Sequence, residues 1–343
     1  MKVVSFIIPS YNSEKYLETC LPSFFEETVL DKLDIIIIND GSKDATAEIA
    51  EKYCRMHPNS VRLISQENKG HGGALNTGCA AAVGKYLKVI DSDDWVITEN
   101  LPAYVSYLEE CQADAVLTHF HLVDMTSRER QAKPVKYLPK EPVSIETIME
   151  HWPEFEDSCS FHGITYKTEF YQRIGHQLPE HVFYEDQEYS AIPFCEAASI
   201  GVLDLYLYQY LVGNPYQSVA FENQVKRIDH IERVVLDMVS YYENKPQMSQ
   251  AARAYLFARS RAVSLIYLSV ASLYGKDWAR GRKLCRDFYA KLKTVCPDMA
   301  GKIRKKYLIF LLLNAVHMSP ATYRKLVESG GYKKLKYSGK QEA

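Results

Sequence analysis

No C-x-x-C pair occurs among the eight cysteines, Cys20, Cys54, Cys79, Cys111, Cys159, Cys195, Cys285 and Cys296. That removes the zinc-ribbon and dithiol redox readings, and in a chain of 343 residues an even count does not by itself argue for disulfides. No G-x-G-x-x-G follows the first apolar run, so a dinucleotide oxidoreductase is disfavoured. Long apolar runs are missing too. The stretch Tyr307-Leu308-Ile309-Phe310-Leu311-Leu312-Leu313 falls far short of the roughly 18 residues that cross a bilayer. The start, MKVVSFIIPSYN, carries one lysine, an apolar run stopped by Pro9 and no cleavage site. It reads as a first strand rather than a signal peptide, and a reduced, cytoplasmic setting is the default expectation. Net charge is nearly absent, with 41 Lys and Arg against 43 Asp and Glu, so nothing global favours nucleic acid. With 47% hydrophobic and 24% charged residues, disordered and low-complexity classes are out. No internal repeat is present.

What is present is an ordinary globular composition at about twice the size of a common single domain, which sets an expectation of two units. The neutral sum hides a segregation. Residues 275–343 hold 17 basic and five acidic side chains, leaving 24 and 38 for the rest. Along the first 120 residues strand and helix patterns alternate. The continuous apolar run at 3–8 reads as a strand buried on both faces, 34–38 as a second buried strand, and 61–65, 86–90 and 115–120 as further strands. Between them lie helical stretches at 13–25, 44–53, 72–83 and 98–111, with Ser13 and Thr98 as caps. The expected fold is α/β, a mostly parallel Rossmann-like sheet flanked by helices. Residues 127–142 read as an excursion loop, and 185–197 and 200–207 as a helix and a strand. From 222 onward the pattern is helical, with Val225, Ile228, Ile231, Val234, Val235, Met238 and Tyr242 on one stripe. The boundary falls near 214–222, giving a catalytic domain at 1–218 and a basic helical domain at 219–343.

In a parallel sheet, ligands sit beyond the carboxyl ends of the strands. The first strand delivers Pro9, Ser10 and Tyr11, and the second Asn39, Asp40 and Gly41. The third leads into Glu67-Asn68-Lys69-Gly70-His71-Gly72-Gly73, and the fourth into Asp91-Ser92-Asp93-Asp94. Tyr11 can stack on a base, Asp40 can accept an N–H from its edge, and amides of the glycine-rich run can approach an anion. Carboxylates packed as at 91–94 raise one another's pKa unless a cation is present. A hard divalent ion, Mg²⁺ or Mn²⁺, held by one or two of them plus substrate phosphates resolves that repulsion. A capped turn is the plainer alternative for the same four residues.

Four segments together, Ser5-Phe6-Ile7-Ile8-Pro9-Ser10-Tyr11-Asn12, Asn39-Asp40-Gly41-Ser42-Lys43-Asp44, Asn68-x-Gly70…Asn76-x-Gly78 and Asp91-Ser92-Asp93-Asp94, resemble the signature series of family 2 glycosyltransferases over roughly the first 220 residues. The resemblance implies a GT-A fold and an inverting transfer from a nucleotide sugar, most often a UDP-sugar, to a glycan or lipid-linked acceptor in cell-surface polysaccharide synthesis. It places Pro9, Tyr11, Asp40, Asn68 and Lys69 at the nucleotide sugar. Asp91 lies toward ribose and diphosphate, and Asp93 on the metal of the DxD motif. It places the general base at Asp186, in Tyr184-Glu185-Asp186-Gln187-Glu188-Tyr189, because inversion needs a base on the face opposite the leaving diphosphate. For that segment the competing account is acidic charge at a helix N-terminus. Asp94, His162 and Glu185 are expected at the acceptor or donor pocket, although a structural histidine serves equally for His162. Residues 213–218 resemble a loop that closes over the diphosphate, or a domain-linking turn. One departure stands out. Leu75 occupies a position where the pattern often has arginine, with Lys69 as a substitute. No Gln-x-x-Arg-Trp and no transmembrane channel segments occur, which favours single addition over processive synthesis. A sugar-phosphate nucleotidyltransferase would want a basic glycine-rich loop where Pro9-Ser10-Tyr11-Asn12 stands. A catalytically silent nucleotide- or glycan-binding partner of another transferase is the alternative function.

At the C-terminal end Lys302, Arg304, Lys305 and Lys306 precede the Leu-rich run. Lys333, Lys334 and Lys336 alternate with Tyr332, Leu335 and Tyr337. Such clusters suit peripheral contact with an anionic membrane. The Leu run suits packing on the core or on a second copy, so a homo-oligomer stays open. Nucleic acid is disfavoured, since no binding motif accompanies the charge.

Overall fold

The computed structural model describes residues 1–213 and 221–328. They divide into two units, Met1–Pro215 with Lys245–Leu256, and Tyr216–Asn244 with Phe257–Ala343. In the first unit the apolar runs form strands, because β-branched and aromatic side chains fit a pleated surface covered on both faces. β1 (Val4–Ser10) and β2 (Leu33–Asp40) are buried at every position. β3 (Val61–Gln66) and β4 (Tyr86–Val89) complete a parallel set in the order β3-β2-β1-β4. Helices α1 (Glu14–Cys20), α2 (Thr46–Met56) and α3 (Gly70–Ala81) follow the first three strands.

Beyond β4 the sheet is mixed. β5 (Trp95–Val96) precedes α4 (Leu101–Glu110), and β6 (Ala115–Asp124) follows. The expected loop at 127–142 contains β7 (Arg130–Lys133), a hairpin partner of β6. α5 (Ile145–Glu150) and α6 (Trp152–Phe155) lead to β8 (Ile164–Lys167), α7 (Thr168–Ile174), α8 (Asp186–Cys195) and the long β9 (Ile200–Val212). The sheet runs β3-β2-β1-β4-β8-β6-β9-β5, with β8 antiparallel between β4 and β6, and β5 antiparallel to β9. β6 and β9 pair in parallel, so both point the same way as the first four strands.

Ser13 does not cap α1 through its side chain. Its hydroxyl instead meets Ser92 Oγ at 2.8 Å, tying the first helix to the acidic turn. A 3₁₀ turn at Thr98–Asn100 replaces the first turn expected from the Thr98 cap. All eight cysteines are free thiols.

The second unit is helical, with α9 (Phe221–Lys226), α10 (Ile228–Asn244), the later part of α11 (Gln250–Ser269), α12 (Trp278–Val295), α13 (Pro297–Ala315) and α14 (Pro320–Glu328). The stripe of α10 buries Ile228, Ile231, Val234, Val235 and Met238, as helical spacing requires. α11 ends in a π-helical turn, Val270–Tyr274. The buried Asn314 donates to the Ser272 carbonyl at 2.7 Å, satisfying a group of that turn. Gln250–Tyr274 is long and apolar enough to cross a membrane by length and composition. Tyr255, Leu256, Val263, Tyr267 and Leu268 on it are buried within the protein, as in a core helix.

Candidate active site

Residues at the carboxyl ends of β1, β2 and β4 and at the start of α3 form one acidic site. Tyr11, just past β1, is 51% exposed, while Pro9 is buried inside the strand. Asn12 follows in a left-handed conformation, φ 51°. Its Oδ1 accepts from the Lys43 amide at 2.9 Å, so the loops after β1 and β2 are joined.

Asp40 is buried at the end of β2. Its Oδ1 accepts from Gln66 Nε2 at 2.7 Å and from the Lys69 amide at 2.8 Å. Thr77 Oγ1 donates to Gln66 Oε1 at 2.6 Å, which turns the Gln66 amide toward Asp40. Among the described residues no donor meets Asp40 Oδ2, which leaves an acceptor for a ligand N–H. Asn68 donates to the Asp40 carbonyl at 2.9 Å, so its side chain holds the loop. Lys69 Nζ lies 3.5 Å from Glu180 in a half-exposed ion pair.

The acidic turn has a division of labour that spacing alone does not show. Asp94 is fully enclosed, with Oδ2 accepting from Tyr208 Oη at 2.5 Å and Oδ1 from the Leu211 amide at 2.7 Å. The Tyr208 oxygen in turn accepts from the Asp91 amide at 3.1 Å. Asp94 therefore anchors β9 to the turn, whereas its expected place was the pocket wall. Asp91 and Asp93 remain half-accessible. One carboxylate oxygen from each of Asp91, Asp93 and Asp94 lies within 4.8 Å of the others. Burial and the Asp91 charge push Asp93 up to about 6. Burial, then Asp93 and Asp91, push Asp94 well above the carboxylate range. Asp91 and Asp93 with their hard oxygen donors fit a divalent cation, whose charge relieves this repulsion.

Asp186 opens α8 directly after Glu185, which is 3% exposed. A helix N-terminus lowers a carboxyl pKa, yet Asp186 is pushed up to about 6, by burial first and then by the Glu185 charge. Among the described residues its Oδ2 accepts only from its neighbour, Gln187 Nε2, at 2.9 Å. A carboxylate with few donors and a raised pKa suits proton abstraction better than helix capping does. The Asp91 charge also reaches Asp186, so base candidate and acidic turn share one field.

His162 is half-buried and stacks on Tyr210 at 4.0 Å between ring centroids. Burial holds its pKa down at about 4, so the ring is neutral at physiological pH. The Tyr210 hydroxyl feels Asp94, Asp91, Asp186 and Asp93, which puts the His162–Tyr210 pair beside the carboxylates. Beneath them the buried Lys88 donates to the His162 and Ile164 carbonyls at 2.9 and 3.1 Å. Burial lowers its pKa to about 7.

The glycine-rich run serves partly to let another segment approach. Gly70 has φ 74°, and a Cβ on Gly72 would lie 2.6 Å from the Pro179 carbonyl oxygen. Asn76 clamps Leu178 through both backbone groups at 2.9 and 3.0 Å. This docking carries the segment before α8 onto α3. Leu75 is fully buried and packs rather than reaching the site. Residues 214–218 of the expected diphosphate loop, and Tyr332 to Tyr337, lie outside the described residues.

Three participants escaped the motif reading: His71, Tyr208 and Tyr210. His71 bonds Asp91 and Glu185, but it stood inside a run read for its backbone. The tyrosines alternate along β9, and strand alternation gives no sign of which face meets a ligand.

Residues 5–174 match the family model described as glycosyl transferase family 2. The chain belongs to this family. The matched stretch holds Tyr11, Asp40, the acidic turn and His162, and stops before Glu185 and Asp186. The chain is 28% identical to the uncharacterized glycosyltransferase EpsJ of Bacillus subtilis, over 71% of this chain and 70% of EpsJ. It is 43% identical to a chondroitin synthase of Escherichia coli over 94 residues, 27% of this chain and 13% of that protein. S. aureus TarS 1–349 superposes with a TM-score of 0.66 at 20% identity, covering 95% of this chain and 92% of that one. The same TarS fragment in complex with UDP-GlcNAc superposes at 0.53 over the same shares. At these identities the likeness concerns the fold, which is GT-A, and the family makes the chain a glycosyltransferase.

Proposed function

We propose that this glycosyltransferase moves a single sugar from a UDP-sugar, with inversion, to a glycan or lipid-linked hydroxyl in cell-surface polysaccharide synthesis, using Mn²⁺ or Mg²⁺. The observation that carries the reading is the clustered acidic turn, Asp91, Asp93 and Asp94, whose charge reaches Asp186, a carboxylate of raised pKa. The UDP-GlcNAc complex of TarS supports the donor class, and the similarity to a chondroitin synthase supports a polysaccharide product.

Tyr11 stacks on the base and Asp40 Oδ2 accepts its N–H. Asp91 faces the ribose and diphosphate. Asp93, with Asp91, holds the divalent ion, which when bound neutralises charge on the departing diphosphate. Asp186 removes the acceptor hydroxyl proton. That oxygen forms the new bond to the anomeric carbon as the bond to the diphosphate oxygen breaks on the opposite face. His162 and Glu185 line the acceptor side. The direct test is nucleotide release from a panel of UDP-, GDP- and dTDP-sugars with Mn²⁺ or EDTA. Slow Mn²⁺-dependent release from a UDP-sugar is expected. No release from any donor, with no UDP binding by calorimetry, sinks the reading.

The same proposal places the protein at the inner face of a membrane. Leu308, Ile309, Leu312 and Val316, in and just after α13, are between 47% and 63% exposed. Lys302, Arg304 and Lys305 are exposed one to two turns before them. Basic residues beside an apolar face suit anionic lipid. The wild type is expected to sediment with phosphatidylglycerol vesicles and the Leu308→Glu/Leu312→Glu double variant to stay in solution. Equal sedimentation of the two, or dimerisation of the wild type through this face, contradicts membrane contact.

A further inference from the structure

His71 joins the two halves of the site. Its Nε2 lies 2.9 Å from Asp91 Oδ1, and its Nδ1 lies 2.5 Å from Glu185 Oε1. These partners stand 20 and 114 residues away along the chain. Each ring nitrogen thus meets one carboxylate oxygen, so a single side chain spans both segments. Glu185 is almost wholly enclosed, and a buried carboxylate without its partner is strongly destabilised. Asp91 sits two positions before Asp93, at the donor end. Glu185 immediately precedes Asp186, so whatever fixes Glu185 fixes the first turn of α8.

The sequence departure at position 75 bears on the same point. Leu75 is fully buried where the family pattern often has arginine. His71 lies four residues earlier on α3, one turn back on the same face. The start of α3 therefore still meets the acidic turn, through one ring nitrogen of His71 on Asp91, while the other nitrogen meets Glu185.

We propose that His71 is a positioning residue, tying Asp91 to Glu185 so that Asp186 is set relative to the donor carboxylates. The inference rests on the transferase reading. Occupancy of the donor side is then communicated to the base through one imidazole ring, and its loss slows chemistry more than it weakens donor binding.

The test uses the full chain carrying His71→Gln, His71→Arg and Glu185→Gln, with the donor that the wild type turns over. Glutamine meets one carboxylate at a time, whereas the arginine fork can meet both. For His71→Gln, kcat is expected to fall about 30-fold, with donor KM and UDP affinity changed less than about three-fold. His71→Arg recovers most of that loss, and Glu185→Gln reproduces it should His71→Gln fail to fold. A His71→Gln kcat within about twofold of wild type, or a change confined to KM, overturns the proposal. If the wild type turns over no donor, the transferase reading fails instead. The tie is then read from amide hydrogen exchange at 186–190: about tenfold faster exchange in His71→Gln supports it, and unchanged exchange overturns it.

Discussion

Asp186→Asn is expected to lower sugar transfer by about 10²- to 10⁴-fold, the usual worth of a general base, while UDP affinity stays near wild type. The same substitution is expected to stabilise the fold at neutral pH. In the folded chain the Asp186 pKa is raised from 3.8 to about 6, so folding disfavours its ionised form. That cost is absent below the unfolded value, builds between the two values, and is fully present above about 6. A neutral amide escapes it, and roughly 3 kcal/mol of added stability follows at pH 7.5, falling to about 0.5 kcal/mol near pH 4. Thermal melts of both proteins at the two pH values check this. With the wild type, kcat is expected to rise with pH up to about 6 and then level off, and the limb should disappear in Asp186→Asn. Wild-type transfer rates in Asp186→Asn would remove the base from this residue.

Asp93→Asn is expected to abolish metal-dependent turnover, by at least about 10³-fold, because several kcal/mol of charge stabilisation on the leaving group depends on the bound ion. The protein should still fold. Asp93 is half-accessible and already disfavoured as an anion by burial and Asp91, so a neutral amide relieves repulsion. Differential scanning measures the consequence: Mn²⁺ plus UDP raises the wild-type melting temperature by mass action and leaves Asp93→Asn unmoved. An equal upward shift in both would place the ion elsewhere. Asp94→Asn should behave differently. Asp94 ties Tyr208 and the Leu211 amide, so its loss should appear first as reduced stability.

The donor half of the site was legible in the residue order. Tyr11, Asp40, Asn68 and the acidic turn each stand at or just past the end of a strand, and parallel strands joined by helices bring successive carboxyl ends to one edge. That reasoning needs only local pattern and the handedness of βα units. It therefore recovered β1 to β4 with boundaries a residue or two off. The glycines at 70 and 72 were visible, but their task was not. They admit the segment before α8, and a close approach leaves no mark in the sequence of the approaching segment.

The acceptor half was legible only as far as a resemblance carried it. Glu185 and Asp186 could be picked from an acidic pair opening a helix, but the pattern did not show that burial raises the Asp186 pKa. That shift comes from burial first, then from Glu185 beside it, with smaller contributions from His71 on α3 and from Asp91 after β4. The separate duties of the three aspartates at 91, 93 and 94 were equally hidden. Asp94 turns inward because Tyr208 and Leu211, more than a hundred residues later, come back beside it. The chain order thus specified the strands, their shared edge and the chemistry of the groups delivered there, because those follow from local periodicity and connection geometry. Folding assigned His71 to two carboxylates, Asp94 to an anchor and Asp186 to a site of raised pKa. Burial and partner choice arise from contacts between distant segments, and one-dimensional spacing does not contain them.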